Sequence, residues 1–245
     1  MTRRTLTIEL GCEELPSSCL KQLGESFLSL VTEKLAALKL DHGSARFFAA
    51  PRRLAVQIEA LVETAPEQQR EVLGPPADKA RDDDGNWTRA AEGFAGKNGI
   101  SPDELQLIDT PKGPRLGITS ILPGARAQDI LAELVREVIS ELPMPKRMRW
   151  GASRLEFARP IHWLVLLFGE EHRFADVHGL TPGNRSRGHR FHAPQEVTIP
   201  RAEDYAAVLG DARVIADFGE RRDTIRAQVE ASAQAEGCLL YTSPS

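Results

Sequence analysis

Cysteine is scarce in this chain and follows no pattern: Cys12, Cys19 and Cys238 are odd in number, widely spaced and form no C-x-x-C pair. That argues against a disulfide framework or a zinc knuckle, and leaves small semi-apolar side chains as the ordinary reading. Long apolar runs are missing as well. The longest, residues 161–169, includes His162 and falls far short of the ~20 residues that a membrane helix needs. The opening MTRRTLTIEL has two arginines before an alternating pattern, with no apolar stretch and no small-residue cleavage site. A reducing cytoplasm, without a membrane partner, is therefore the expected location. The usual phosphate cradles, G-x-x-x-x-G-K-[ST] and G-x-G-x-x-G, do not occur, so no cofactor is expected on this chain. G-x-S-x-G and H-E-x-x-H are absent too, which leaves no announced nucleophile or zinc helix. An excess of basic charge is also lacking. The 245 residues hold 31 Lys and Arg against 35 Asp and Glu, a net charge of −4, which excludes a uniformly basic nucleic-acid wrapper.

What is present is ordinary globular material, 41% hydrophobic and 27% charged, enough for one large domain or two lobes. Residues 5–10 alternate Leu6, Ile8 and Leu10 with Thr5, Thr7 and Glu9, which predicts a strand with one buried face, broken at Gly11. Leu20, Leu23, Phe27, Leu30, Val31, Leu35 and Leu38 recur at three- and four-residue steps, predicting a helix capped by Ser17 or Ser18 and ending near 41–43. Strands follow at 45–50 and 53–61, split by Pro51. Residues 64–89, with Pro66, Pro75 and Pro76, read as loop and turn, including the acidic 82–85. Thr88 opens a short helix stopped by Asn98-Gly99, and Ser101-Pro102 opens another. Residues 105–108 and 115–122 flank a hairpin at 111–114. A second long helix spans 129–142 and ends at Pro143 and Pro145. The most apolar strand, 156–168, is expected to be central, with 172–178 pairing beside it. A polar, arginine-rich loop at 183–188 precedes a strand near 197–199, and helices close the chain at 201–209 and 219–235. No repeat is visible. The mixture has no βαβ rhythm, so the expected class is α+β, a mainly antiparallel sheet packed with several helices.

Charge distribution is the informative feature. Residues 146–192 hold nine basic residues (Lys146, Arg147, Arg149, Arg154, Arg159, Arg173, Arg185, Arg187 and Arg190) against Glu156, Glu170, Glu171 and Asp176. This block carries +5 and the remainder −9. Within it, KRMRWG (146–151) and NRSRGHRF (184–191) mix guanidinium groups with an aromatic, a composition that lets cations meet phosphates while a ring covers a base or sugar. A solvated basic face would give the same composition. His189 and His192, three apart, could share a metal ion on a helix or simply form ordinary hydrogen bonds. Glu13-Glu14 could be an acid/base pair, but neighbours on an extended chain point apart. Carboxylates complementing a helix N-terminus are the simpler reading.

Six blocks occur in order: GCEELP, AAPRRLA (49–55), AAEGFAGKNG (90–99), KRMRWG, FARPIHWLV (157–165) and NRSRGHRF. Together they resemble the N-terminal part of the beta subunit of bacterial heterotetrameric glycyl-tRNA synthetase. The departures are Cys12 where the family usually has Thr, Ala50 where Thr commonly precedes Pro-Arg-Arg, and Trp87 where Pro is common. The resemblance implies a subunit of glycine-tRNA ligase that grips tRNA(Gly) and completes an alpha2-beta2 assembly. A separate alpha subunit would use ATP and Mg to make glycyl-adenylate. Family members continue into an HD-like domain and an anticodon-binding region.

On this reading Lys146, Arg147, Arg149, Arg185, Arg187, His189 and Arg190 are the RNA-binding candidates. Glu13, Glu14, Pro51, Arg52, Arg53, Trp150, Arg159 and Trp163 are structural. Arg147, Arg149 and Trp150 could equally pin the long helix to the apolar strand. No residue is assigned a bond-making or metal-ligating role. A subunit-interface scaffold without RNA contact, with the arginines facing a partner's acidic groups, and a metal-dependent hydrolase using the histidines with Glu13 or Glu14 are the alternatives. The expected segments are an N-terminal α/β lobe (1–62), a middle segment with helices and a hairpin (63–143), a basic strand-rich segment (144–200), the helical start of a further region (201–237) and a non-native tail (238–245), where CLLYTSPS drops the charged helical pattern.

Overall fold

A computed structural model describes residues 2–82, 85–111, 113–150 and 155–238. The chain is α+β and forms two units, Met1–Ala65 with Ala125–Ser245, and Pro66–Gly124.

In the larger unit, strands β1 (Arg3–Cys12), β2 (Ala45–Ala50), β3 (Arg53–Val62) and β7 (Ile161–Phe168) form a sheet in the order β2-β3-β1-β7, all neighbours antiparallel. Helices α1 (Ser17–Ala37) and α3 (Ala127–Glu141) contribute their apolar stripes, Leu23, Phe27, Val31 and Leu35 from one and Leu131, Leu134, Val135 and Val138 from the other, to a single core with Leu6, Ile8, Leu10, Leu54, Val56 and Ile58. Lys34 reinforces the helix pair, donating to Glu137 and Glu141 at 2.8 Å each. Because α3 closes this core, it joins the N-terminal strands and not the middle segment in which its chain position had placed it. The linear division at 62 and 143 therefore differs from the grouping in space.

The strand period accounts for the other face of the sheet. Thr7 and Glu9 on β1, and Arg53, Ala55 and Gln57 on β3, alternate with the residues of the first core and are also buried. Above them sits a second core of Phe48, Val165, Leu167, Ile199, Tyr205 and Leu209, with α4 (Tyr205–Asp211) on it. The sheet is thus covered on both faces, and the expectation of one buried face on β1 is corrected. Thr7 and Gln57 satisfy their polar atoms on the Ala202 carbonyl, at 2.8 and 2.7 Å.

Gly11 does not end β1. It is paired with Trp163, and a Cβ there would lie 1.8 Å from the indole, so glycine makes room for the ring. Ser17 is the first residue of α1 and not its cap, a place taken by Pro16. β7 lies at the edge of the four named strands. Its apolar character reflects two covered faces, Leu164 and Leu166 to the first core and Val165 and Leu167 to the second. Gly183, and not 172–178, runs alongside it, through Leu166 N to Gly183 O and Gly183 N to Leu164 O, both 3.0 Å.

The basic loop contains a short strand, β8 (Arg185–Arg187), paired with β9 (Glu196–Thr198). Helix α5 (Phe218–Ala235) closes the described chain, capped by Asp217 accepting from Glu220 N at 2.9 Å.

In the smaller unit, β4 (Gln68–Pro76), β5 (Gln106–Thr110) and β6 (Gly113–Leu122) form an antiparallel sheet in the order β4-β6-β5, with α2 (Arg89–Lys97). The strand β4 replaces part of the loop expected at 64–89. As an edge strand it accommodates Pro75 and Pro76 at its end, where the pairing with β6 shifts register between Leu73 and Pro76. Asp83, Asp84 and Lys112, parts of the expected turns, lie outside the described residues, as do Gly151, Arg154 and residues 239–245.

Candidate nucleic-acid interface

Arg53 is 3% exposed and organises the polar face of the sheet. Its guanidinium lies 3.5 Å from the buried Glu9 carboxylate and donates to Ser186 Oγ at 3.1 Å and to the Arg187 carbonyl at 2.5 Å. Glu9 also accepts from Ser186 Oγ at 2.6 Å and from the Trp163 indole N–H. A buried ion pair is tolerated only when further hydrogen bonds meet its remaining donors and acceptors, and here those bonds come from β8. The arginine-rich loop is in this way anchored to the sheet. Arg187 lies over the Trp163 ring at 5.0 Å, a cation–π contact. Tyr205 is wholly buried beside Phe48, with ring centroids 5.1 Å apart, and burial raises its phenol well above the ordinary value.

Glu13 and Glu14 diverge, as an extended chain requires. Glu13 meets His162 Nε2 at 3.0 Å and Arg52 at 3.8 Å. Glu14 binds Arg190 at 3.0 Å through its carboxylate, and its carbonyl accepts from Arg159 Nε at 3.2 Å. The two residues meet different partners, Glu13 holding His162 and Arg52 and Glu14 holding Arg190 and Arg159.

The two basic blocks have different surroundings. In KRMRWG, Arg147 donates to the Ser140 and Leu142 carbonyls at 3.0 and 2.8 Å, closing the C-terminus of α3, while Arg149 pairs with Glu156 at 2.7 Å. Trp150 packs on the first core, Met148 bridges Phe157, and Lys146 is exposed. In NRSRGHRF, Arg185 approaches Glu196 at 3.7 Å. His189 Nδ1 accepts the backbone N–H groups of Phe191 and His192 at 3.2 Å each. The His189 and His192 rings lie 4.5 Å apart, and no group of three His, Cys, Asp or Glu side chains able to hold a metal is found among the described residues.

A hollow of about 410 Å³ opens beside this loop, lined by Pro51, Arg52, Arg53, Arg190, Phe191, Arg213, Val214 and Arg221 among others. Sequence reading missed Arg213, Arg221 and Phe191 as site residues. Phe191 had a signal, being the aromatic of its block. Arg213 and Arg221 had none, because only the fold brings 52, 190, 213 and 221 together.

Sheet, anchored loop and hollow define an α+β module with a hollow rich in guanidinium groups. The family model described as Glycyl-tRNA synthetase beta subunit matches residues 6–243. The chain is 44% identical to the glycine–tRNA ligase beta subunit of Marinobacter nauticus over 237 residues, covering 96% of this chain and 34% of that protein. It is 44% identical to that of Pseudomonas aeruginosa over 241 residues (98% and 35%), and 42% to that of Hahella chejuensis over 235 residues (96% and 34%). The chain belongs to the glycyl-tRNA synthetase beta subunit family. It spans about a third of the length of these relatives.

Proposed function

We propose that this chain is the N-terminal part of a tRNA-binding and assembly subunit of glycine-tRNA ligase. It supports ATP-dependent attachment of glycine to tRNA(Gly) in the cytoplasm, within an alpha2-beta2 complex. ATP and Mg are held by the alpha subunit, where the adenylate forms. The observation that carries this reading is a guanidinium-rich face fastened to the sheet by Arg53, in a chain of this family. Fixed cations of this kind neutralise backbone phosphates, and each neutralised phosphate steepens the salt dependence of affinity by roughly 0.7 to 0.9 log units per log unit of salt.

A second reading, a subunit-interface scaffold without RNA contact, draws on the fact that Arg147, Arg149, Arg185 and Arg190 each have an acceptor within the chain. Full-length beta subunit carrying Lys146→Ala with Arg185→Ala, assembled with alpha, separates the two. The tRNA reading expects a raised KM for tRNA and a shallower salt slope, with glycine-dependent ATP–pyrophosphate exchange unchanged. Unchanged tRNA affinity and charging in a folded complex would leave the scaffold reading.

A further inference from the structure

We propose that the hollow beside the NRSRGHRF loop receives one unpaired nucleotide of tRNA, its base on Phe191 and its phosphate on Arg190 and Arg213. This assignment rests on the tRNA reading above and narrows it to one element of the ligand.

Charge comes first. Five guanidinium groups line the hollow, with Glu14 as its carboxylate. Arg53 is matched by Glu9, Arg52 by Glu13 and Arg190 by Glu14. Arg213 and Arg221 have no ion pair among the described residues. Arg221 donates to the Ala49 carbonyl at 2.7 Å, and burial lowers its pKa from the ordinary value despite the opposing charge of Asp217. An anion entering here meets Arg213, which has no ion pair among the described residues, beside the half-buried Arg221. The Arg190–Glu14 pair is about half exposed on both sides, so Arg190 can turn to a phosphate at small cost.

Shape and ring come second. Phe191 is 81% exposed, the most exposed large hydrophobic side chain among the described residues. It is not on a loose loop. His189 Nδ1 holds the Phe191 and His192 N–H groups, and the loop returns through Ala193 N to His189 O at 2.9 Å. Gly188 permits that return, since a Cβ there would come within 2.3 Å of the Ala193 carbonyl. His189 N also bonds the Ala212 carbonyl at 2.9 Å, tying the loop to the end of α4. There Arg213 adopts φ +62°, a left-handed position that favours glycine. An arginine in that place costs backbone strain and sets a guanidinium on the rim. An exposed ring on a hydrogen-bonded loop, sharing the lining of the hollow with Pro51, Val214 and the arginines, matches an unpaired nucleotide. A paired base cannot present its face to a ring, whereas an unstacked one can.

The test uses the full-length beta subunit assembled with alpha, and tRNA(Gly) as probe. Phe191→Ala is expected to weaken tRNA binding roughly 5- to 100-fold, with Phe191→Trp retaining it. Arg213→Gly, which relieves the backbone and so keeps the fold, is expected to flatten the salt slope by roughly 0.7. A photo-crosslinker at position 191 should mark an unpaired nucleotide. Crosslinking to a paired nucleotide or to the alpha subunit overturns the proposal, the latter by showing a protein occupant. If Phe191→Ala and Arg213→Gly leave affinity and slope within twofold while the Lys146 and Arg185 substitutions weaken binding, the hollow is wrongly assigned and the tRNA reading stands. If none of these substitutions changes tRNA binding, that reading fails as well.

Discussion

The two faces of the β2-β3-β1-β7 sheet are built from alternate residues of the same strands, yet they hold together by different means. Toward α1 and α3 every second residue is aliphatic or aromatic, from Leu6, Ile8 and Leu10 to Leu54, Val56 and Ile58. Toward α4 the intervening residues include Thr7, Glu9, Arg53 and Gln57, all buried. The first face stabilises by removing area from water, which is non-directional and tolerates repacking. The second adds to its own apolar core a network that stabilises only when complete, because each unpaired member would be a desolvated polar group. Its partners are Ser186, the Arg187 carbonyl and the Ala202 carbonyl, so it fixes the position of loops that the apolar face does not reach.

The largest effect expected from breaking this comparison is on the polar face. Arg53→Met leaves Glu9 buried without its guanidinium and should cost about 3–5 kcal/mol in urea unfolding. The 184–193 backbone should lose hydrogen-exchange protection at the same time. Adding Glu9→Gln should recover part of the loss, and a double mutant no better than Arg53→Met would show that the pair is not coupled. On the apolar face, Leu10→Ala should cost about 2–5 kcal/mol. It should leave the 184–193 loop as protected as global stability allows.

Cys12 tests the sealing of the sheet's end. Burial, with Glu9 adding to it, pushes its thiol up to about 12 from an ordinary 9. The folded state therefore keeps this proton where the unfolded state loses it, and the contribution of Cys12 to stability falls as pH rises from about 9 to about 12. Iodoacetamide at pH 8 should label the exposed Cys238 and spare Cys12 until denaturant is added. Rapid labelling of native Cys12 would show that the core opens there.

The apolar face was legible in the sequence and the polar face was not. Period-2 and period-3.6 patterns, with Pro51 and Asn98-Gly99 as breakers, locate β1, β2, β3, α2 and α3 within a few residues, and α1 except for its end, which falls at Ala37 and not near 41–43. Thr7 and Glu9 read as solvent-facing because alternation reports polarity, and a buried polar network has the same signature as a wet surface. Arg53 and Glu9 are 44 positions apart and Arg53 and Ser186 are 133 apart, so nothing local marks them as partners. The candidate site divides in the same way. Composition found the arginine-rich blocks, but only three-dimensional placement shows which guanidinium groups are already engaged, and it adds Arg213 and Arg221 from a segment read as plain helix and turn.

The smallest expected effects lie within KRMRWG, where two arginines separated by Met148 have different acceptors. Arg147 bonds two carbonyls at the end of α3. Those carbonyls have no partners within the helix and attract a cation through the helix dipole. Arg147→Ala should lower stability by about 1 kcal/mol, with hydrogen-exchange protection lost first in the last turn of α3. Arg149 pairs with Glu156 in solvent, its side chain 67% exposed, and Arg149→Ala should change stability by about 0.5 kcal/mol or less. A loss of tRNA affinity in the Arg149 variant would therefore report a contact to RNA. The same loss in the Arg147 variant would have to exceed what a frayed α3 explains, and Arg147→Lys, which keeps charge but not the planar fork, measures that share. Losses in both alanine variants that Arg147→Lys does not share would show that the charge of the block, and not its hold on the helix, meets the phosphates.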